Sequence, residues 1–179
     1  KRRFSAEHVK GLNYIQSDMR SLSYDSALDV IIMPSTTFFC LSPVERKEVV
    51  KGIFRALKPG GKYMFDTYPA DLADMVGETD FEPLRTIEHQ GQSIPVFERC
   101  CVNDKTQVID VTYGHKISDE DHSEWYTYSL RHHYMNPDEI VDFLYGIGFI
   151  HVDLWGDFMG TPWPNAQDRA IFEAHKLED

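Results

Sequence analysis

Residues 28–68 read LDVIIMPSTTFFCLSPVERKEVVKGIFRALKPGGKYMFDTY, and this stretch decides how the chain folds. It opens on a short apolar run, Leu28–Met33, rich in β-branched side chains and stopped by Pro34. That is the pattern of a strand buried on both faces of a parallel sheet. Ser42, Pro43 and Glu45 then form a helix start: a capping hydroxyl, a proline at the first helical position and an early carboxylate at the positive end of the dipole. Val49, Val50, Ile53, Phe54 and Leu57 recur at spacings of three and four and make one apolar stripe. Lys58, Pro59, Gly60 and Gly61 end the helix with a cation, a residue that cannot continue it and two that tolerate positive φ. Residues 63–65 resume as a strand. A strand, helix and strand joined this closely are expected to be parallel and right-handed.

Composition sets the outer limits. The 179 residues, 42% of them hydrophobic and 13% aromatic, are enough for one good core, so one domain is expected over residues 1–179. The formal charge of −11 leaves no extended basic face, which argues against nucleic acid as a partner. Three cysteines, two of them adjacent as Cys100 and Cys101, fit neither a disulfide framework nor a zinc spacing and point to a reducing, cytoplasmic setting. No apolar run approaches the roughly 20 residues a membrane-spanning helix needs, so no membrane association is expected.

The order of these pieces resembles a known family. An LDVI strand, the Ser-Thr-Thr at 35–37, a long amphipathic helix and then FRALKPGGKYMFD are similar to the central segment of class I S-adenosylmethionine-dependent methyltransferases of small-molecule type. Ser17, Asp18, Met19 and Arg20, after an expected strand at residues 13–16, add to the likeness. The resemblance covers about two thirds of the chain, residues 12–71 and again 131–179. It implies an α/β, Rossmann-like sheet with S-adenosylmethionine as cofactor. It also implies that Asp18 and Met19 hold the adenine, carboxylate to exocyclic amine and apolar side chain over the ring. Met33, Pro34 and Ser35 leave their strand at the carboxyl end, the ligand edge of such sheets, where main-chain contact with the cofactor is expected. Asp18 starting an ordinary turn, and Thr36 and Thr37 as satisfied turn hydroxyls, are the bland readings of the same residues.

The family pattern places a strand, a GxGxG turn, a helix and a strand ending in an acidic residue upstream of this segment. Such a unit occupies about 30 residues or more, and residues 1–12 cannot hold it. Phe4, Ala6, Val9 and Leu12 suit the end of a helix. The expectation is therefore an amino-terminally truncated piece, without its first βαβ portion and inactive alone, whose intact parent is the enzyme.

Beyond residue 65, Asp66 and Tyr68 leave the third parallel strand at the same edge and face a substrate if one binds. Residues 71–76 suggest a short helix, and residues 77–91, polar and broken by Pro83, an irregular flap. Residues 94–102, 107–117 and 124–134 read as three antiparallel strands joined at 103–105 and 118–122, a lid insertion over 94–135. In the second run Ile109, Val111, Tyr113 and His115 share one face and Val108, Asp110, Thr112 and Lys116 the other. The family often carries such a lid over its substrate. Trp125, Tyr126 and Tyr128 would make it aromatic toward an organic acceptor, or simply form cross-strand pairs. His132 and His133, adjacent on a strand, point to opposite faces and cannot together chelate a metal. One of them, His133 or His132, is the candidate base for the acceptor's proton, with Tyr68 as a further catalytic candidate. The adjacent cysteines read as strand filler.

Asn136, Pro137, Asp138 and Glu139 begin a second helix with Ile140, Val141, Phe143, Leu144 and Ile147 inward, ended by Gly146 and Gly148. Residues 149–155 and 170–175 are the last strands, joined by a loop carrying Asp157, Phe158, Trp163 and Pro164 that caps the sheet. The reading is thus methyl transfer to a small molecule by the parent, with a non-catalytic binding or regulatory module as the alternative. A nicotinamide dehydrogenase is disfavoured by the Asp18-Met19 turn and the LKPGG unit. A homo-oligomer formed through the lid or an exposed sheet edge is expected as a possible assembly.

Overall fold

The computed structural model describes residue 11 and residues 13–69, 76–89, 91–118, 123–165 and 169–178. The expected helix end before residue 12, the helix at 71–76 apart from Val76, and the 118–122 connection apart from Ser118 lie outside them. Two sheets make up the fold. The first has strand order β1-β2-β9-β8, with β1 Leu28–Met33, β2 Leu57–Thr67, β8 His151–Trp155 and β9 Ala170–His175. β1 and β2 are parallel, and β9 and β8 add antiparallel. Two helices, α1 Pro43–Ala56 and α2 Pro137–Ile147, contact one another and this sheet.

Local chemistry explains the helix ends. Ser42 and Glu45 form a reciprocal capping box at α1, with Pro43 at the first position, and Asn136 and Glu139 repeat it at α2. At the far end of α1 the expected cation, Lys58, instead pairs with Asp29 at 2.8 Å on the surface. Lys176, from the end of the chain, donates to the Phe54 and Leu57 carbonyls at 2.9 and 2.7 Å in its place. Gly60 takes φ +73, whereas Gly61 is required for space: a Cβ there would stand 2.9 Å from the Lys58 carbonyl oxygen and 3.1 Å from that of Asp29. α2 ends at Gly148, φ +126, while Gly146 lies inside the helix.

Alternate residues of β2 and β9, Tyr63, Phe65, Phe172 and Ala174, face the helices and meet Val49, Val50, Ile53, Ile140 and Leu144 in one core. Phe38, Phe65 and Phe172 stack in sequence, with ring centroids 4.5 and 4.8 Å apart. The opposite face carries Lys62, Met64, Glu173 and His175, all half-buried.

Three expectations need correction. Residues 13–16 are exposed and pair with no strand among the described residues, where a strand was expected. β1 is not buried on both faces: among the described residues it pairs with β2 alone, and Val30 and Ile32 remain 48% and 65% exposed. The antiparallel insertion is larger than three strands. It comprises β3 Gly77–Glu78, β4 Glu82–His89, β5 Gln92–Asn103, β6 Val108–Ser118 and β7 Ser123–His133, because β4 pairs along β5 where an irregular flap was expected. Pro83 is tolerated there beside a register shift, where the ladder is already interrupted. No helix among the described residues is long and apolar enough to cross a membrane.

Arg46 ties the two sheets together. Its side chain is buried and makes no ion pair with a carboxylate among the described residues. It donates to the Phe38 carbonyl at 3.3 Å, to the Leu41 carbonyl at 3.2 Å and to the carbonyl of His133, the last residue of β7. Its guanidinium also lies 4.7 Å from the Phe38 ring centroid. Burial pulls its pKa down to about 10, so it stays charged at neutral pH. Arg46→Met keeps the volume but orphans three carbonyls, and chemical denaturation is expected to register a loss of about 2–4 kcal/mol.

Candidate active site

Because β1 and β2 run parallel, both carboxyl ends fall at one edge, with Met33 opposite Phe65. After Pro34 the chain turns through two left-handed non-glycine residues, Ser35 at φ 64 and Thr36 at φ 59. Such a pair is held only where its surroundings over-determine it. Here the Ser35 N–H donates to Asp66 Oδ1 at 2.8 Å, and the Thr37 hydroxyl donates to the Pro34 carbonyl at 2.6 Å. Arg169 Nη1 donates to Thr36 Oγ1 at 3.1 Å and stands 3.4 Å from Asp66 Oδ2. Asp66, expected to face a substrate, is 7% exposed and committed to holding this turn.

Two cavities of unlike character adjoin the turn. One, of about 280 Å³, is mainly apolar and is lined by Met19, Leu22, Ile31, Met33, Pro34 and Thr37. Three of the five expected cofactor residues, Met19, Met33 and Pro34, are thereby brought together. Asp18 does not line it. Its carboxylate caps the short 3-10 turn Met19–Ser21 and pairs with Arg20 at 2.6 Å, and the Arg20 hydrogen bonds hold its pKa down at about 2. Arg20 in turn reaches Glu45 at 2.7 Å, fixing this segment to the start of α1.

The second cavity, of about 680 Å³, lies between the turn and the antiparallel sheet. Ser35 and Thr36 form its wall on one side, and Val102, Ile109, Val111 and Tyr113 on the other. These are the inward residues of β5 and β6, as the alternation along β6 predicts. Tyr68 and His132 also line it, and Tyr68 Oη lies 3.1 Å from His132 Nδ1. Burial raises the Tyr68 hydroxyl far above its usual pKa of 10, so it keeps its proton and donates to Nδ1. Burial, reinforced by neighbouring His133, lowers the His132 pKa from its ordinary 6.5 and leaves a neutral imidazole at pH 7. His133 does not join them. Its carbonyl accepts from Arg46, and of the two candidate histidines only His132 lines the cavity.

Further residues of this cavity are absent from the sequence reading as site residues. Arg169 and Glu98 line it, and burial together with the Glu98 carboxylate pushes Tyr113 up to about 12. Cys40 and Cys100 line it as well, both with pKa raised by burial, so they supply thiol surface and no thiolate nucleophile. Glu98 and Arg169 give no local signal, since each becomes a cavity residue only through pairing of distant strands. Tyr126 and Tyr128 stack with His115 and Tyr113 across β6 and β7, and Trp125 packs on Phe81 and Phe97. These three aromatics act as cross-strand pairs. In the 156–169 loop, Asp157 accepts from the Met159 and Thr161 amides, and Trp163 packs against the core.

This architecture is the class I methyltransferase fold. A crystal structure of an S-adenosylmethionine-dependent methyltransferase from Clostridium acetobutylicum superposes with a TM-score of 0.70 at 14% identity, over 91% of this chain and 63% of that one. An S-adenosylmethionine-bound amino pentose methyltransferase from Micromonospora echinaspora gives 0.67 at 14% identity, over 90% and 63%. In sequence, residues 1–65 match the family model described as a methyltransferase domain. A curated relative, the cypemycin N-terminal methyltransferase of a Streptomyces species, is 39% identical over 66 residues, 36% of this chain and 27% of that protein. In fold, and in the sequence of its first 65 residues, the chain is thus similar to S-adenosylmethionine-dependent methyltransferases. The chain spans under two thirds of the length of each of these relatives.

The buried imidazole yields a prediction. With the folded pKa of His132 depressed, the unfolded chain binds more protons below about 6.5. Stability is therefore full at pH 7 and falls as pH drops through 6.5 toward the folded midpoint. Two-dimensional NMR titration is expected to place the His132 midpoint below 6.5, and His132→Asn to remove that part of the acid sensitivity.

Proposed function

We propose that the intact protein transfers a methyl group from S-adenosylmethionine to a small-molecule acceptor seated in the lid cavity. The observation that carries this reading is the meeting of an apolar cavity and a larger, more polar one at the strained Pro34–Thr36 turn. In it, Met19, Met33 and Pro34 flank the adenine ring, and the Ser35 main chain borders the cofactor. The acceptor lies beneath β5–β7, and the names of two relatives, which refer to an amino pentose and to an N-terminus, support an amine or a similar nucleophile.

Bound there, the cofactor supplies an activated methyl group on a sulfonium. The chain's own part is mainly to hold the acceptor in line, since orientation removes much of such a barrier. Its second part is the proton. Tyr68 Oη accepts the acceptor's proton while passing its own to His132 Nδ1, for which a neutral imidazole is required.

Calorimetric titration of the full-length protein is expected to show binding of S-adenosylmethionine and none of a nicotinamide dinucleotide. Met19→Ala should weaken the former by about 1 kcal/mol, roughly fivefold in Kd. With an amine acceptor, Tyr68→Phe and His132→Gln should each lower kcat about a hundredfold and leave cofactor affinity unchanged. Unaltered kcat in both would reduce the pair to a structural contact.

A further inference from the structure

A second group of chemically active side chains lies away from both cavities. The register places His151 opposite His175 and Asp153 opposite Glu173, so all four project from the same face of the β8–β9 hairpin. That is the face of the sheet turned away from α1 and α2. It is also the other end of the β2–β9 pairing from the cavities: His175 pairs with Lys62, where that pairing begins, whereas the exit of β2 at Thr67 pairs with Ala170. Here Asp153 stands between two imidazoles, with His151 Nε2 3.0 Å from Oδ1 and His175 Nε2 3.1 Å from Oδ2. One ligand atom from each of the three residues falls within 4.8 Å of the others.

We propose that His151, Asp153 and His175 form a site for a divalent transition metal, zinc above all. Two imidazole nitrogens and a carboxylate oxygen are the borderline ligands zinc takes, at about 2.0–2.2 Å. Ligand atoms at those bond lengths in a tetrahedron stand about 3.4 Å apart, near the nitrogen–oxygen separations already present. The ligand atoms, now within 4.8 Å of one another, would close toward that spacing on binding. Binding uses both Nε2 lone pairs, so each imidazole carries its proton on Nδ1 and Asp153 exchanges two hydrogen-bond donors for one cation. The charge balance favours this. Asp153 and Glu173 bring two carboxylates, Glu173 Oε1 lying 3.3 Å from His175 Nε2, and Lys62 at 2.6 Å from Glu173 offsets only one of them. His151 is exposed, so the fourth position is open to water or to Glu173. The metal would clip the outer strand β8 to β9 at the edge of the sheet.

The test uses the full-length protein without an affinity tag, stripped with chelator and titrated with zinc or cobalt. One equivalent should bind, cobalt should show the visible bands of a four-coordinate site, and the thermal midpoint should rise with metal concentration. His151→Ala, at an exposed position, and Asp153→Asn, which keeps shape, should each weaken binding about tenfold or more and abolish the cobalt bands. Unchanged circular dichroism will establish that both variants are folded. Binding that survives in both variants, or wild-type protein that takes up no metal, overturns the proposal and leaves an imidazole–carboxylate hydrogen-bond cluster.

Discussion

A buried guanidinium, with no acidic partner among the described residues, joins α1 to the end of the antiparallel sheet. Arg46 belongs to α1, the helix of the parallel unit, yet one of the three carbonyls it satisfies belongs to His133 at the end of the antiparallel sheet. Taking a charge out of water is costly, and here carbonyl dipoles and the face of Phe38 compensate it in place of a counter-ion. That arrangement is directional. It sets where β7 ends relative to the 37–41 turn, and so where the antiparallel sheet stands above the parallel strand tips. His132, one residue before the anchored carbonyl, is thereby brought to Tyr68.

The second constraint acts at the strand tips themselves. Two successive left-handed residues, Ser35 and Thr36, expose the turn between the cavities, and Asp66 and Arg169 stabilise it from β2 and from the residue preceding β9. Three segments far apart in the chain therefore converge on one strained turn. A turn so braced suits the methyl transfer proposed above, in which both centres must be held in line. The polar side chains of the site divide accordingly: Asp66 is spent on structure, while Tyr68 and His132 remain with a hydrogen bond directed into the cavity.

Much of this was legible in the residues alone. The capping boxes at Ser42 and Asn136, the apolar stripe of α1, the parallel pairing of β1 and β2, and the closing hairpin are all written in signals a few residues long. The inward face of β6 followed from simple alternation, and Met19, Met33 and Pro34 do share a cavity. What failed, failed for one kind of reason. β4 was missed because Pro83 and a polar composition hide a strand whose stability comes from its partner β5. The burial of β1 was overestimated because hydrophobicity records what a strand tolerates and says nothing of which neighbours are present. Asp18 was assigned to a ligand although Arg20, two residues on, was there to engage it.

The sequence by itself determined the kinds of elements, their ends and their order, since capping, periodicity and turn chemistry act between residues close in the chain. Only the tertiary structure decided which of two adjacent histidines meets the cavity, that Lys176 rather than Lys58 caps α1, that Arg169 braces the ligand-edge turn, and that two histidines and an aspartate gather at the far end of the sheet. Each of these depends on strand register and on the direction of a side chain across a gap of tens of residues. A shift of one residue in register would have reversed every one of them.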